Sequence, residues 1–380
     1  ETAKLHSGDP ENLGLWNEFM PHCLEAIHRV YRRLGILPHD HEHGESFYNP
    51  MLATVVDDLL AKGQAVESRG AIVIPNAAGK IPETEEEQKK QDPPALIRKR
   101  DGAFTYTTSD LATVKYRIEH FRPNAMLYVV DFRQALHFKT FFAAAKRWGY
   151  PDVEMTHISF GSVLGPDRKP FSTRAGGAAE LETLISKAVE LGLAKYQESY
   201  EDRKAHGHEV PELTDVVKND IAEAIGVGAM KYADLSGNRT SDYIFSYDKM
   251  LATDGNTATY MQYAYARCRA IFRKGGVDDA RFRTDPPAVK ITEPAERTLA
   301  LQLLRFEEAL RTAAAEYTPH DITSYLWDLA KSFSGFFENC PVLTADTPEL
   351  RESRLVLVDL TGRVIRQALD LLGIRTVERM

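Results

Sequence analysis

Apolar residues recur with helical spacing along most of the chain, and with strand-like runs in one central stretch. Residues 11–36 carry Leu13, Leu15, Trp16, Phe19 and Met20 in amphipathic rhythm, which predicts a helix with Pro21 as its expected point of interruption. Met51, Leu52, Val55, Val56, Leu59 and Leu60 predict a second helix over 50–63, and GAIVIP at 70–75 a short strand. The stretch 79–95, GKIPETEEEQKKQDPPA, is charged and proline-bearing and predicts an exposed loop or insertion.

From 96 to 165 the period changes. Phe104 and Tyr106 alternate as in a strand, and SDLATVKYRIEHF (109–121) reads as a helix capped by Ser109 or Asp110. AMLYVVDF (125–132) reads as a buried strand and ALHFKTFFAAAKRWG (135–149) as a helix ended by Gly149. VEMTHISFGSVLG (153–165) is a further strand running into a turn. Strand and helix alternating so tightly predict parallel βαβ packing, with any ligand at the carboxyl ends of the strands. After 176 the strands vanish. Residues 177–235 read as helices with a polar break at 206–212, and 256–380 as nearly all helix. The fold class is therefore an α/β body followed by an all-α tail.

Composition narrows the class of protein. Of 380 residues, 43% are hydrophobic and 27% charged, as in a globular protein rather than a disordered or membrane-embedded one. No apolar run approaches the roughly 18 residues that a spanning helix needs. Cys23, Cys268 and Cys340 are far apart and odd in number, so neither a disulfide framework nor a Cys-x-x-Cys metal knuckle is expected, and a cytoplasmic setting is the simplest reading. The net charge of −8 resides in residues 1–255, because 256–380 carry 17 Lys and Arg against 17 Asp and Glu. A neutral helical tail on an acidic body hints at a separate RNA-facing module.

Three places can carry chemistry. Tyr106 and Asp110 stand where the chain passes from strand to helix, at the edge where a βαβ unit binds its ligand, and a carboxylate there can receive a guanidinium or ammonium. Helix capping by Asp110 is the alternative. Gln134, after the strand AMLYVVDF, can hold an amino acid or satisfy backbone groups; His137, one turn on, can be a core or surface histidine. HISFGSVLGPDRKPFSTRAGG (157–177) combines glycines with Lys169, Ser172, Thr173 and Arg174 directly after a strand, a combination that can wrap polyphosphate without being a Walker A loop. A solvated turn is the alternative there. His39, His41 and His43 at spacing two favour a solvated loop over a metal site. TYMQYAYARCRAIFRK (259–274) interleaves aromatics with Arg267, Arg269, Arg273 and Lys274, which suits base stacking beside phosphate contacts and equally an ordinary amphipathic helix.

The order YTTSDLATVKYR, YVVDFRQALHF, HISFGSVLGPDRKPFSTRAG closely resembles arginyl-tRNA synthetase, a class I aminoacyl-tRNA synthetase. ETAKLHSGDPE and GESFYNPM resemble that family's catalytic region, YADLSGNRTSDYIFSYDKMLATDGNTATYMQYAYAR its passage into the anticodon-binding domain, and LLGIRTVERM its carboxyl end. The resemblance implies part of a Rossmann-like parallel sheet with a helical insertion, then a helical-bundle anticodon-binding domain. The implied segments are 1–95, a helical connective or insertion region; 96–176, the second half of the Rossmann-like domain; 177–255, a stem-contact or linker region; and 256–380, the anticodon-binding domain.

The implied activity is arginine–tRNA ligase: L-arginine, ATP with Mg²⁺, and tRNA(Arg) as substrates, no DNA or membrane partner, no structural metal, and a monomer. Arginine would be held by Tyr106, Asp110 and Gln134, and ATP by His157, Phe160 and Gly161. Lys169, Ser172, Thr173 and Arg174 would steady the adenylation transition state, and Tyr260, Tyr263, Phe337 and Met380 would contact tRNA. Pro170 and Thr173 replace lysines usual in class I loops, Phe337 stands where tyrosine is frequent, and no His-Ile-Gly-His-like motif occurs in 1–380. The chain is therefore expected to be an incomplete catalytic unit, with a non-catalytic tRNA-binding paralogue or fragment as the alternative.

Overall fold

The computed structural model describes residues 1, 4–5, 8–82, 84–170, 177–207 and 212–380. The chain packs as two units, one of Pro38–Ser162 and one joining Glu1–Leu37 to Val163–Met380.

Helix α1 (Pro10–Leu34) is capped by the Asp9 carboxylate, which accepts from Asn12 N, and it ends on left-handed Gly35. It runs unbroken through Pro21, contrary to the expected interruption. Pro21 sits on an exposed stretch of the helix, where the carbonyl it frees has access to water.

In the unit Pro38–Ser162, α2 (Leu52–Ala61) packs on an antiparallel sheet of β1 (Val66–Ser68), β2 (Ala71–Ile74) and β3 (Ala95–Arg98). The segment expected as loop contains α3 (Glu85–Lys90), started by a capping box of Thr84 and Glu87. Then follow α4 (Tyr106–Phe121), β4 (Ala125–Asp131), α5 (Ala135–Trp148) and β5 (Glu154–Phe160). Strands β4 and β5 pair in parallel without a slip, from Ala125 opposite Glu154 to Asp131 opposite Phe160, so the βαβ expectation holds. Leu59, Ile74, Ile97, Leu111 and Phe141 fill the core, and Trp148 donates to Asp58 Oδ2 at 2.7 Å.

Two expectations fail here. Strand β4 is buried on one face only: Met126 faces the core, but Leu127 is 45% and Val129 66% exposed. Tyr106 does not continue a strand. Phe104 makes one bridge to Arg98 and Thr105 then caps α4, because Thr105 and Thr108 anchor their hydroxyls on the Leu96 and Ile97 carbonyls of β3.

In the other unit, β6 (Val163–Leu164) pairs in parallel with β7 (Tyr243–Ile244). The strand expected over 153–165 is thus two. The rest is helical: α6 (Gly177–Ala205), α7 (Asp215–Ser236), α8 (Tyr247–Met250), α9 (Ala258–Gly275), α10 (Arg281–Thr284), α11 (Pro294–Leu304), α12 (Phe306–Glu316), α13 (Pro319–Asn339) and α14 (Pro348–Leu371). Among the described residues, no helix is long and apolar enough to cross a membrane. Leu326, Phe333, Phe336, Leu355 and Ile365 form the centre of the bundle. Arg33 of α1 donates to Glu223 on α7 and Ser186 on α6. Lys231 donates to the carbonyls of Leu34 and Gly373 at two helix ends, and burial pulls its ammonium below the usual lysine range.

Helices α6 and α7 touch backbone to backbone. A Cβ on Gly226 would lie 2.6 Å from Val189 Cα, closer than any real contact, so only glycine permits this approach. Gly226→Ala should therefore destabilise the unit by about 1–3 kcal/mol through forced separation of the helices. Chemical denaturation should show a lower midpoint at unchanged slope.

Candidate functional site

The first site is built at the carboxyl edge of the parallel pair. Since Thr105 caps α4, Asp110 lies beyond the first turn and cannot be the helix cap. Tyr106 and Asp110 are separated by four residues and share a helix face, with the Tyr106 ring 76% exposed. The Asp110 carboxylate is half-buried and meets His137 Nε2 at 2.6 Å, so His137, in the first turn of α5, is its partner. The Tyr128 phenol is pushed up to about 12 by burial and, against the pull of Arg117, by the Asp110 charge. Gln134 stands three residues beyond β4, at the N-cap of α5, exposed and making no side-chain capping bond, so it is not a buried amide.

His157 lies midway along β5, opposite Tyr128. Its Nε2 lies 2.9 Å from the Val130 carbonyl, which makes that nitrogen the protonated one, and its ring stacks on Phe138 at 4.4 Å. Phe160 ends β5, 40% exposed, and Gly161 follows it. Lys169 belongs to the helical unit, exposed in a tight turn where Gly165 N donates to the Lys169 carbonyl and Lys169 N to Asp167 Oδ1. Ser172, Thr173 and Arg174 lie outside the described residues. His41 and His43 stack on Phe121 and Phe47 at 4.5 and 4.0 Å, so these rings cover aromatic surface.

The second site is a cavity of about 660 Å³ in the helical unit. On α9 and α13, the Arg267 guanidinium lies 4.9 Å from the ring centroids of both Tyr263 and Phe337. Met380 lines the same cavity, as do Arg203, Arg273, Lys274 and Arg379, and no Asp or Glu side chain among the described residues does. The chain end is fastened by Glu378, which accepts from Tyr265 Oη at 2.7 Å and Arg269 Nε at 2.9 Å. Burial opposes that carboxylate's charge, yet these donors hold it below the usual range. Arg269 is therefore spent on Glu378 and Asp279 rather than offered to a ligand. Tyr260 also does not line the cavity; its ring packs edge-on against Trp327 and its hydroxyl meets Ser334 at 3.1 Å.

Comparison with known proteins decides the family. The description "tRNA synthetases class I (R), catalytic domain" matches residues 2–247, and "DALR anticodon binding domain" matches 261–380. The chain belongs to the arginyl-tRNA synthetase family. It is 46% identical to the arginine–tRNA ligase of Rhodopirellula baltica, over all of this chain and 55% of that protein. With the enzyme of Escherichia coli O157:H7 it shares 44%, over all of this chain and 63% of that protein. The chain thus spans little more than half the length of these curated relatives. Among solved structures, arginyl-tRNA synthetase of Plasmodium falciparum superposes with TM-score 0.81 at 28% identity, over 100% of this chain and 60% of that one. The Thermus thermophilus arginyl-tRNA synthetase gives 0.75 at 26%, over 99% and 68%. The class I fold and the helical anticodon-binding domain expected from the sequence are both borne out.

For this arginyl-tRNA synthetase family member, sequence reasoning missed the Asp110–His137 pair and two cavity residues, Tyr196 and Arg203. The pair joins positions 27 apart, which no local pattern signals. Tyr196 and Arg203 are seven residues apart on α6, so they share a helix face, and that spacing is the one signal that could have grouped them.

Proposed function

We propose that this chain supplies the arginine-recognising and tRNA-recognising parts of an arginine–tRNA ligase, which activates L-arginine with ATP and transfers it to tRNA(Arg). The observation that carries this reading is the half-buried Asp110 carboxylate at the carboxyl edge of β4 and β5, with the Tyr106 ring one turn away. A carboxylate matches a guanidinium fork in shape and charge. His137 fixes the carboxylate's orientation, and Gln134 beyond the end of β4 is assigned to the substrate's amino-acid group.

His157, Phe160 and Gly161 are assigned to ATP, brought in with Mg²⁺. Lys169, Ser172, Thr173 and Arg174 are assigned to charge stabilisation as the arginine carboxylate attacks the α-phosphorus and pyrophosphate leaves. That chemistry asks the protein for positioning and fixed charge, not for a nucleophile. In the helical unit, the cations and open aromatic faces around Arg267 suit an unstacked base and its phosphates, as in an anticodon loop. Tyr263, Phe337 and Met380 keep the tRNA assignment as cavity-lining residues; Tyr260, packed on Trp327, lies outside that lining.

In the whole gene product, L-arginine with tRNA(Arg) should drive exchange of labelled pyrophosphate into ATP, and lysine should not. Arginine binding without exchange would overturn the ligase assignment in favour of a recognition-only protein. Exchange driven equally by lysine would overturn the guanidinium receptor.

A further inference from the structure

Arg203 stands near the carboxyl end of α6, inside the segment matched by the catalytic-domain description and outside the one matched by the anticodon-binding description. It nevertheless lines the same cavity as Arg267 and Phe337. Its Nε is buried and has no hydrogen-bond partner among the described residues. A buried donor without a partner is rare in folded proteins, and here it leaves the charged Arg203 group with bonding capacity that no described residue takes up.

The surroundings specify a partner's charge. Arg273 and Arg379 line the cavity with Arg203, and no Asp or Glu side chain among the described residues does. The nearby Glu378 carboxylate accepts from Tyr265 and Arg269 and lies 3.9 Å from the Arg273 guanidinium, which also donates to the Glu378 carbonyl, so that carboxylate is engaged away from Arg203. Burial first, then Arg379, pull the Arg273 guanidinium below its usual range; the Glu378 charge opposes them, and Arg269 and Arg203 add to the pull more weakly. Tyr196, on the same face of α6, lines the cavity with Arg203.

We propose that Arg203 holds a backbone phosphate of the RNA loop bound in this cavity, so that α6 forms part of the loop-binding surface. The two terminal nitrogens of the guanidinium form a fork that matches two phosphate oxygens, and the charge is matched at the same time. The inference rests on the reading that the cavity takes RNA.

The test is binding of a short RNA hairpin carrying an arginine anticodon to the full chain, titrated at several salt concentrations. Arg203→Gln should weaken binding by about three- to tenfold and reduce the slope of log affinity against log salt by about 0.7, the signature of one lost phosphate contact on a single strand. Arg203→Lys should restore the slope while recovering only part of the affinity, because a point charge replaces a fork. The melting temperature of Arg203→Gln should not fall, since a cation among cations is removed; a fall, or failure to fold, would make Arg203 a structural residue and overturn the proposal. Unchanged affinity and slope, with binding lost in Arg267→Ala, would overturn it and leave the RNA reading standing. If Arg267→Ala also binds normally, or the unmodified chain does not bind the hairpin, the RNA reading itself falls and the phosphate assignment with it.

Discussion

Asp110→Asn should weaken L-arginine binding by about 2–3 kcal/mol, roughly 30- to 150-fold, and leave the fold intact. The substitution keeps the shape of the side chain and removes its charge. The magnitude lies at the low end for a hydrogen-bonded charge pair because the Asp110 side chain retains 33% exposure, which lets water screen the interaction. Helix capping cannot account for such a loss, since Thr105 caps α4. The control is citrulline, a neutral isostere of arginine: wild type and variant should bind it nearly alike. His137→Ala should cost less than Asp110→Asn, because it frees the carboxylate to reorient without discharging it. Calorimetric titration reads all of these. Arginine affinity in Asp110→Asn equal to that of wild type would remove Asp110 from the receptor.

What the sequence made legible follows from the range of the interactions involved. The β4–α5–β5 unit was readable because its periods and its terminating Gly149 are local. The start of α4 was misplaced because TYTTSD offers several capping residues in a row, and the choice is made by β3, whose Leu96 and Ile97 carbonyls take the Thr105 and Thr108 hydroxyls. Strands β1 and β3 are three and four residues long and exist through their pairing with β2, so nothing in VES or ALIR announces them. The same limit applies at the sites. Arg267 was visible as a cation on an aromatic helix, but its sandwiching depends on Phe337, 70 positions away. Arg269 looked equally free, and its engagement depends on Glu378, 109 positions away. Which cations on one helix remain for a ligand is decided by where the carboxylates of other elements arrive.

A larger loss of stability is expected at the bundle's buried ion pair. Glu296 is fully buried on α11 and accepts from Arg354 Nε of α14 at 2.7 Å, from Thr292 N at 2.6 Å and from Glu293 N at 3.0 Å. Arg354, 5% exposed, donates its other arm to the Pro341 carbonyl. Glu296→Ala strands the guanidinium and two backbone donors in the interior, at a cost of about 3–5 kcal/mol. Burial alone would raise the Glu296 carboxyl, but its donors hold it below its ordinary value of 4.5 in the folded state. Its stabilisation is therefore complete above about pH 4.5 and lost as pH falls through the depressed value, so wild type and Glu296→Ala should converge in acid and differ most at neutral pH. Glu296→Leu combined with Arg354→Met should recover much of the loss, since the pair's worth lies in not being broken rather than in its net attraction. Denaturant midpoints across pH, with hydrogen exchange in α11 and α14, check this. Because Arg354 also holds Pro341 on the cavity wall, Arg354→Met alone should weaken hairpin binding as well as stability, whereas Glu296→Gln, which retains a hydrogen-bond acceptor toward Arg354, should weaken binding less.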